Sequence, residues 1–397
     1  MTDSACKQRT ILKGYKTELR PNKRARAFMG QHCGAARHAY NWALRMRSDY
    51  YKRTGQTLSL SDLQREFRVY KKQAGNGWLL EVTDRATEAA IRHLHDAYVQ
   101  FWTKIPGPNG QPRRFPKPRR RRGGGRFTLM ILSRHVQRDR IRLGKIGWVR
   151  LKQRDYLPAD CGKKNITASV SEVANRWFVS VLCPAYPKPT PRGGGDLAVH
   201  PGVRNLSVRS DGVKAANPKA LEKAQRRLRT LNRELARRKR GGQNWKRTRQ
   251  KIRKLHYRIA CIRRNATHEM TTAAARDSGA DTVVVQKWDV AGMAHTSAPT
   301  RSVRRTINRY IADANFYEQR RQLQYKSDWY GADYLEVPPA FPASKRCSAC
   351  GQVKKEFPLW KNDYRCEECG LAMDRDENAA LNLLEGASRA RLEGGET

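Results

Sequence analysis

The chain has 397 residues, 39% of them hydrophobic, and carries 81 Lys and Arg against 36 Asp and Glu, a formal charge of +45. Self-repulsion on this scale opposes compaction unless a polyanion neutralises it, so nucleic acid is the expected partner and strong salt dependence the expected signature. The basic residues run along the whole chain with no apolar membrane-length span or leader beside them, which points away from a membrane protein and toward a cytoplasmic one of two to four domains.

Thr10 to Leu19 reads as a strand. Residues 23–53 read as a helix, with Phe28, Cys33, Ala36, Tyr40, Ala43 and Leu44 recurring at three- and four-residue steps. A second helix is predicted over 84–104, with Ala90, Ile91, Leu94, Tyr98, Phe101 and Trp102 on one stripe. Both stripes read as core packing. Residues 106–126 form a Pro/Gly/Arg-rich loop that contains Arg119, Arg120, Arg121 and Arg122. These four read as a strap that contacts phosphates, with a merely solvated segment as the alternative.

Short alternating runs over 127–183 predict antiparallel β structure closed into a small barrel, with a turn at Ala174 to Arg176. The Pro/Gly-rich stretch Pro184 to Gly195 is the natural boundary. Ala198 to Gly212 then reads as strand, tight turn and strand. Residues 216–270 predict a helical hairpin broken at Gly241 and Gly242. Its apolar stripes are Leu221, Leu228, Leu231 and Leu235, then Ile252, Leu255, Ile259 and Ile262. Its outer faces hold Arg226, Arg227, Arg237 and Arg238, followed by Lys239, Arg240, Lys246 and Arg247. With few acids nearby to pair them, these are expected to touch a duplex backbone rather than water alone. Asp281 to Met293 reads as a buried strand that runs into a loop.

Cys347, Cys350, Cys366 and Cys369 form two C-x-x-C pairs separated by fifteen residues, the spacing of a structural zinc ribbon with no open ligand position. Gly351 and Gly370 follow the pairs where a knuckle turn needs positive φ. The other five cysteines (Cys6, Cys33, Cys161, Cys183, Cys261) stand singly and read as ordinary thiols of a reducing compartment. Asp374 to Leu383 opens a helix near Asn378, with Asp374 as a capping acid.

The segments around residues 200, 286 and 376 resemble, in order, the three active-site motifs of the RuvC-like nuclease domain of TnpB proteins, transposon-encoded relatives of type V CRISPR effectors. Further points of likeness are Arg37, Tyr40 and Asn41 (an Arg-x-x-Tyr-Asn element), Phe115-Pro-Lys-Pro118, Arg126 to Leu129, and Leu323 to Lys326. The resemblance implies an α+β multidomain chain: a helical recognition module inserted in a small β-barrel wedge domain, then an RNase H-like (RuvC) α/β domain with an inserted zinc ribbon. The segments are 1–22 wedge strand, 23–105 recognition helices, 106–126 basic loop, 127–185 wedge barrel, 186–195 linker and 196–397 RuvC-like domain, with the hairpin at 216–270 and the ribbon at 344–372. Guide RNA and double-stranded target DNA are the implied partners, structural Zn²⁺ the implied cofactor, and the bacterial nucleoid the implied location when bound.

Such nucleases place Asp, Glu and Asp in the three motifs. Counting back ten residues from Ser210 of the Ser-Asp-Gly turn gives His200, and counting back from Gly292-Met293 gives Gln286. Only Asp376 keeps its carboxylate, so a formal −3 becomes −1 and paired Mg²⁺ is not expected there. Asp196 lies four residues before His200, roughly 13 Å along a strand, and Asp289 follows Gln286 at an odd offset, so neither replaces the missing acids. The pattern resembles the TnpB-like nuclease-dead repressors. The alternatives are an active RNA-guided endonuclease with a reorganised metal site, and a guide-independent zinc-ribbon nucleic-acid binder.

Overall fold

The computed structural model describes residues 10–105, 113–121, 124–158, 161–186, 190–287, 300–357 and 361–394. Cys6, Arg122, Asp289, Gly292 and Met293 lie outside the described residues. The chain divides into two compact units, Met1–Tyr186 and Pro187–Thr397. No helix among the described residues is long and apolar enough to cross a membrane.

The first unit is built on six antiparallel strands: β1 (Ile11–Arg20), β2 (Arg126–Leu132), β3 (Arg140–Arg142), β4 (Trp148–Leu151), β5 (Asn165–Val173) and β6 (Arg176–Ala185). They lie in the order β2-β5-β6-β1-β4-β3. β1 pairs along its length with β6, from Ile11↔Ala185 to Leu19↔Trp177, so the start and end of the unit share one ladder. Ala174 and Asn175, at φ 53° and 67°, make the two-residue β5–β6 turn, where the twist of the strands requires both to be left-handed. Three helices fall between β1 and β2: α1 (Lys23–Thr54), α2 (Leu60–Lys72) and α3 (Asp84–Trp102). Their buried faces join the sheet in one core that includes Met29, Ala36, Ile91, Leu94, Phe127 and Val179.

Three expectations need correction here. The sheet is an open half-barrel, because β2 and β3 at its edges do not pair; strands of three and four residues at the β3–β4 end are too short to close it. Trp102 is 67% exposed, since α3 ends on it and the stripe is lost at the last turn. Cys161 and Cys183 are not separate thiols: a disulfide joins them. Their separation of 22 residues carries no pairing signal until β6 is in place.

The second unit holds a five-stranded mixed sheet: β7 (Asp196–Pro201), β8 (Asn205–Arg209), β9 (Lys214–Ala216), β10 (Thr282–Gln286) and β11 (Asp333–Val337), in the order β11-β10-β7-β8-β9. β7, β8 and β9 form an antiparallel meander, whereas β10 lies parallel to both β7 and β11. Between β9 and β10 come α4 (Ala220–Ala236) and α5 (Gln243–Thr272), and between β10 and β11 come α6 (Arg301–Ala314) and α7 (Phe316–Tyr330). The hairpin α4–α5 buries Leu228 and Ile259 between its arms, while Ile262 stays exposed.

Alternation along β7 and β10 divides the core into two layers. Leu197, Val199, Val283 and Val285 face Met270 of α5 and Leu323 of α7. Ala198 and Val284 face Ala379, Leu383 and Ala387 of the last helix, α8 (Arg375–Gly394). Lys326, 4% exposed, fastens α7 to the end of α5 by donating to the His268 carbonyl and to the Thr271 and Thr272 hydroxyls. Residues 190–195 belong to this unit: the Gly193 and Gly195 N–H groups donate to the Asp281 carboxylate, and Arg192 donates to the carbonyls of Ala280 and Tyr330.

Candidate functional site

His200 and Gln286 have the parity of Ala198 and Val284, so their side chains turn toward α8. The parallel register Thr282↔Asp196 to Val284↔Ala198, continued by two residues, sets Gln286 level with His200 on strands ~4.8 Å apart. Asp376 enters from the first turn of α8, its Oδ1 at 3.8 Å from His200 Nε2. His200 and Asp376 therefore meet at the carboxyl end of β7, and the continued register puts Gln286 on the same face at the carboxyl end of β10, where open α/β sheets hold their ligands. The turn after β7 also comes close, because a Cβ on Gly202 would stand 2.9 Å from Asp376 Oδ2 and from the Asn205 carbonyl oxygen.

Burial governs the chemistry of the cluster. His200 is 3% exposed. Burial drives its imidazole pKa down to about 3, with Arg375 pushing the same way and Asp374 opposing. Burial also raises the Asp376 carboxyl above the usual carboxylate range, against Arg375. The 3.8 Å contact is thus not an ion pair. Gln286 donates from Nε2 to the Phe341 carbonyl at 2.7 Å, a contact that an ionised carboxylate could not make.

The surrounding acids are engaged elsewhere. Asp374 Oδ1 accepts from the N–H groups of Asp376 and Glu377, which makes it the cap of a helix that begins at Arg375, three residues earlier than expected. Its Oδ2 lies 3.8 Å from Arg204, and Glu377 pairs with Lys214. Asp196, at the far end of β7, is clamped by the Arg391 guanidinium.

These shifts set a pH window. Unfolding returns His200 to its ordinary value of 6.5, so the unfolded chain binds the additional proton between pH 6.5 and about 3. Stability from this group is complete above 6.5 and is lost as pH falls through that window. Asp376 has the opposite sign, its contribution being lost as pH rises through its raised folded value. Wild type should lose about 2 kcal/mol more than His200→Asn between pH 7 and pH 5 in urea denaturation. Equal losses would refute the assignment.

The four cysteine sulfurs lie within 4.8 Å of one another, with Cys347–Cys369 at 3.6 Å and Cys350–Cys366 at 3.5 Å. Tetrahedral Zn–S bonds of ~2.3 Å need sulfurs about 3.8 Å apart, so the donor set fits zinc. The backbone N–H groups of Cys369 and Glu368 donate to the Cys366 sulfur and lower its thiol pKa, while its close partner Cys350 is pushed up. Gly351 and Gly370 have φ of 81° and 75°, as the knuckles require. Among the described residues no other three His, Cys, Asp or Glu side chains bring ligand atoms this close together.

In the first unit, Asn41 grips the basic strap: its Nδ2 donates to the Arg119 carbonyl and its Oδ1 accepts from the Arg119 N–H. The Arg119 guanidinium lies 3.7 Å over the Tyr40 ring. A cavity of about 940 Å³ opens beside the strap, lined by Arg37, His93, Lys117, Arg119, Arg120 and Arg126 among others, and no described lining residue is acidic. Arg121 is exposed, as are Arg226, Arg227, Arg237, Lys239, Arg240, Lys246 and Arg247 on the hairpin. Arg238 is half-buried and bridges the hairpin turn, donating to Glu234, Thr248 and the Asn244 carbonyl. Spacing alone did not reveal the roles of Asn41, Gly202, Asn378 and Asn382, although three of the four lie in or beside the motifs.

Three family models match: the "Helix-turn-helix domain" of IS605 OrfB proteins over residues 11–56, the IS605 OrfB "Probable transposase" over 172–297, and the "Cas12f1-like, TNB domain" over 316–383. Residues 11–56 form one strand and one long helix here. Among relatives, "Putative RNA-guided DNA endonuclease InsQ" of Escherichia coli K12 is 29% identical over 97% of this chain and 94% of its own length. A "Putative RNA-guided DNA endonuclease" of Streptomyces pristinaespiralis is 28% identical over 94% and 89%. Among solved structures, the Cas12f1–sgRNA–target DNA complex aligns with a TM-score of 0.51 over 91% of this chain and 83% of that one, at 14% identity, a likeness of fold. The half-barrel sheet, the mixed sheet and the four-cysteine cluster belong to a mixed α+β multidomain chain of Cas12f-like fold. Over these spans the chain is similar to the TnpB/IS605 OrfB proteins.

Proposed function

We propose that this chain is an RNA-guided DNA-binding protein with an inactive RuvC-type nuclease site, and that it represses transcription by occupying guide-matched DNA. One observation carries the reading. Where two-metal cutting would need three hard anionic ligands, the chain presents a buried neutral imidazole, an amide committed to the Phe341 carbonyl, and a single carboxylate.

Binding is supported separately from cutting. The relatives named as RNA-guided DNA endonucleases match over nearly the whole chain. The cationic cavity under the strap and the exposed arginines of the hairpin are suited to phosphodiester backbones. In this reading the helices of 23–105 and the strands of 127–185 recognise guide and target, and 196–397 is the nuclease-like half with a structural zinc ribbon and no paired Mg²⁺.

The test is purification with the co-bound RNA, sequencing of that RNA, and incubation with a duplex that matches its variable end in saturating Mg²⁺ or Mn²⁺. The expected result is a defined RNA species, guide-dependent binding, intact strands, and repression of a reporter whose promoter carries the match. Strand scission that Asp376→Ala abolishes would overturn the inactive reading. A random RNA mixture would overturn guidance.

A further inference from the structure

α8 presents two distinct faces. Ala379, Leu383 and Ala387 pack on the sheet. Asn378, Asn382 and Glu385, at steps of four and three, form a separate polar stripe turned toward the first cysteine knuckle. Polar groups are rarely buried without partners, and both asparagines are buried, at 0% and 1% exposure.

Their partners are backbone atoms of the knuckle and its approach. Asn378 Oδ1 accepts from the Ser348 N–H at 2.9 Å, and its Nδ2 donates to the Arg346 carbonyl at 2.6 Å. Ser348 lies inside the Cys347–Cys350 loop, and Arg346 immediately precedes it. Asn382 Nδ2 donates to the Arg346 and Ala343 carbonyls at 2.7 and 2.9 Å. Arg346 returns a two-pronged ion pair to Glu385, and a Cβ on Gly351 would press on that guanidinium at 2.7 Å.

The second knuckle is tied as well. β13 (Ala372–Asp374) follows Cys369 within three residues and pairs with β12 (Asp363–Arg365), which leads into Cys366. β13 ends on Asp374, the cap of α8, and Arg375 N–H donates to the Asn362 carbonyl at 2.7 Å. Both knuckles therefore converge on the one helical turn that bears Asp376.

We propose that Asn378 and Asn382 are positioning residues that couple metal occupancy of the cysteine cluster to the placement of Asp376, so that the ribbon serves as the anchor of the third motif rather than a separate appendage. The coupling holds whether or not the site cuts. Reciprocity is required: if metal in the cluster orders the first turn of α8, then loosening that turn must weaken the metal.

The experiment uses the full chain with zinc as the probe. Zinc affinity is measured by competition with a chromogenic chelator for wild type, for the isosteric Asn378→Asp, and for Ser388→Ala, whose hydroxyl bonds within its own helix at an exposed position. Asn378→Asp replaces the donor to the Arg346 carbonyl with an acceptor, and zinc affinity should fall about tenfold, as for other groups that orient metal ligands. Ser388→Ala should match wild type. In parallel, hydrogen exchange is compared for loaded and stripped wild type. Amides of Asp376 to Asn378 should lose protection on stripping, while those of α4 should not. This second measurement needs no variant to fold. Unchanged protection at the first turn of α8, or wild-type zinc affinity in Asn378→Asp, would overturn the proposal.

Discussion

Replacing His200 by Asp and Gln286 by Glu together should lower the melting temperature by roughly 10 °C in Mg²⁺-free buffer and leave a variant that Mg²⁺ restores, whereas wild type should ignore Mg²⁺. The first substitution places a carboxylate at a 3%-exposed position facing Asp376, whose Oδ1 lies 3.8 Å from the imidazole it replaces. Like charges this close cannot both ionise cheaply, and burial adds to the penalty. The second removes the donor to the Phe341 carbonyl and turns an anionic oxygen toward it, at a cost of about 1–3 kcal/mol. Without metal the two changes are purely destabilising. With Mg²⁺ at a hundred to a thousand times its dissociation constant, about 3–4 kcal/mol returns by mass action. Melting curves of wild type, both single variants and the double variant, all zinc-loaded and with or without Mg²⁺, decide the matter without any assay of cutting. A wild type that gains as much from Mg²⁺ as the double variant would show that the native residues already hold the ion.

The same pair shows what spacing can convey. Alternation along β7 and β10 puts His200 and Gln286 on one face of the sheet, because strand parity is a local rule. What those side chains do is not local: the partner of Gln286 lies 55 residues away, and the burial that neutralises His200 comes from α8. Helix α2 was legible but unread, since Ser59 and Asp62 form a capping box over Leu63 and Phe67. α6 and α7 carry no such signal. Asn315, left-handed at φ 59°, separates them, and the apolar stripe of α7 is thinned by buried polar residues such as Gln319, Gln322 and Lys326. Periodicity assumes that buried means apolar, and it fails where the interior is hydrogen-bonded. The ribbon was the most legible part, because four thiols at fixed spacing need no tertiary context to suggest a metal.

Asp313→Ala should cost about 3–5 kcal/mol, the range for breaking a buried ion pair from one side. Asp313, on α6, is 4% exposed and accepts from Arg263 Nε of α5 at 2.6 Å. Both of its oxygens also accept from the Leu221 N–H at 3.2 Å. That N–H lies in the first turn of α4, which follows left-handed Lys219 and has no side-chain cap of its own. A carboxylate 92 residues away therefore stands in for the missing cap, at the helix end whose dipole favours an anion. One side chain fastens three helices, and two of them carry the exposed Arg226, Arg227, Lys246 and Arg247. Asp313→Asn keeps the shape but sets an amide against Arg263, so its loss should be smaller and should lie mainly in the ion pair. If the hairpin holds nucleic acid backbone, Asp313→Ala should weaken binding at physiological salt more than at low salt, where bare charge suffices without a fixed geometry. Urea titration monitored by hydrogen exchange across α4 and α5, with duplex binding at two salt concentrations, measures both effects. Wild-type stability in Asp313→Ala would show that the basic hairpin is held by its apolar seam alone.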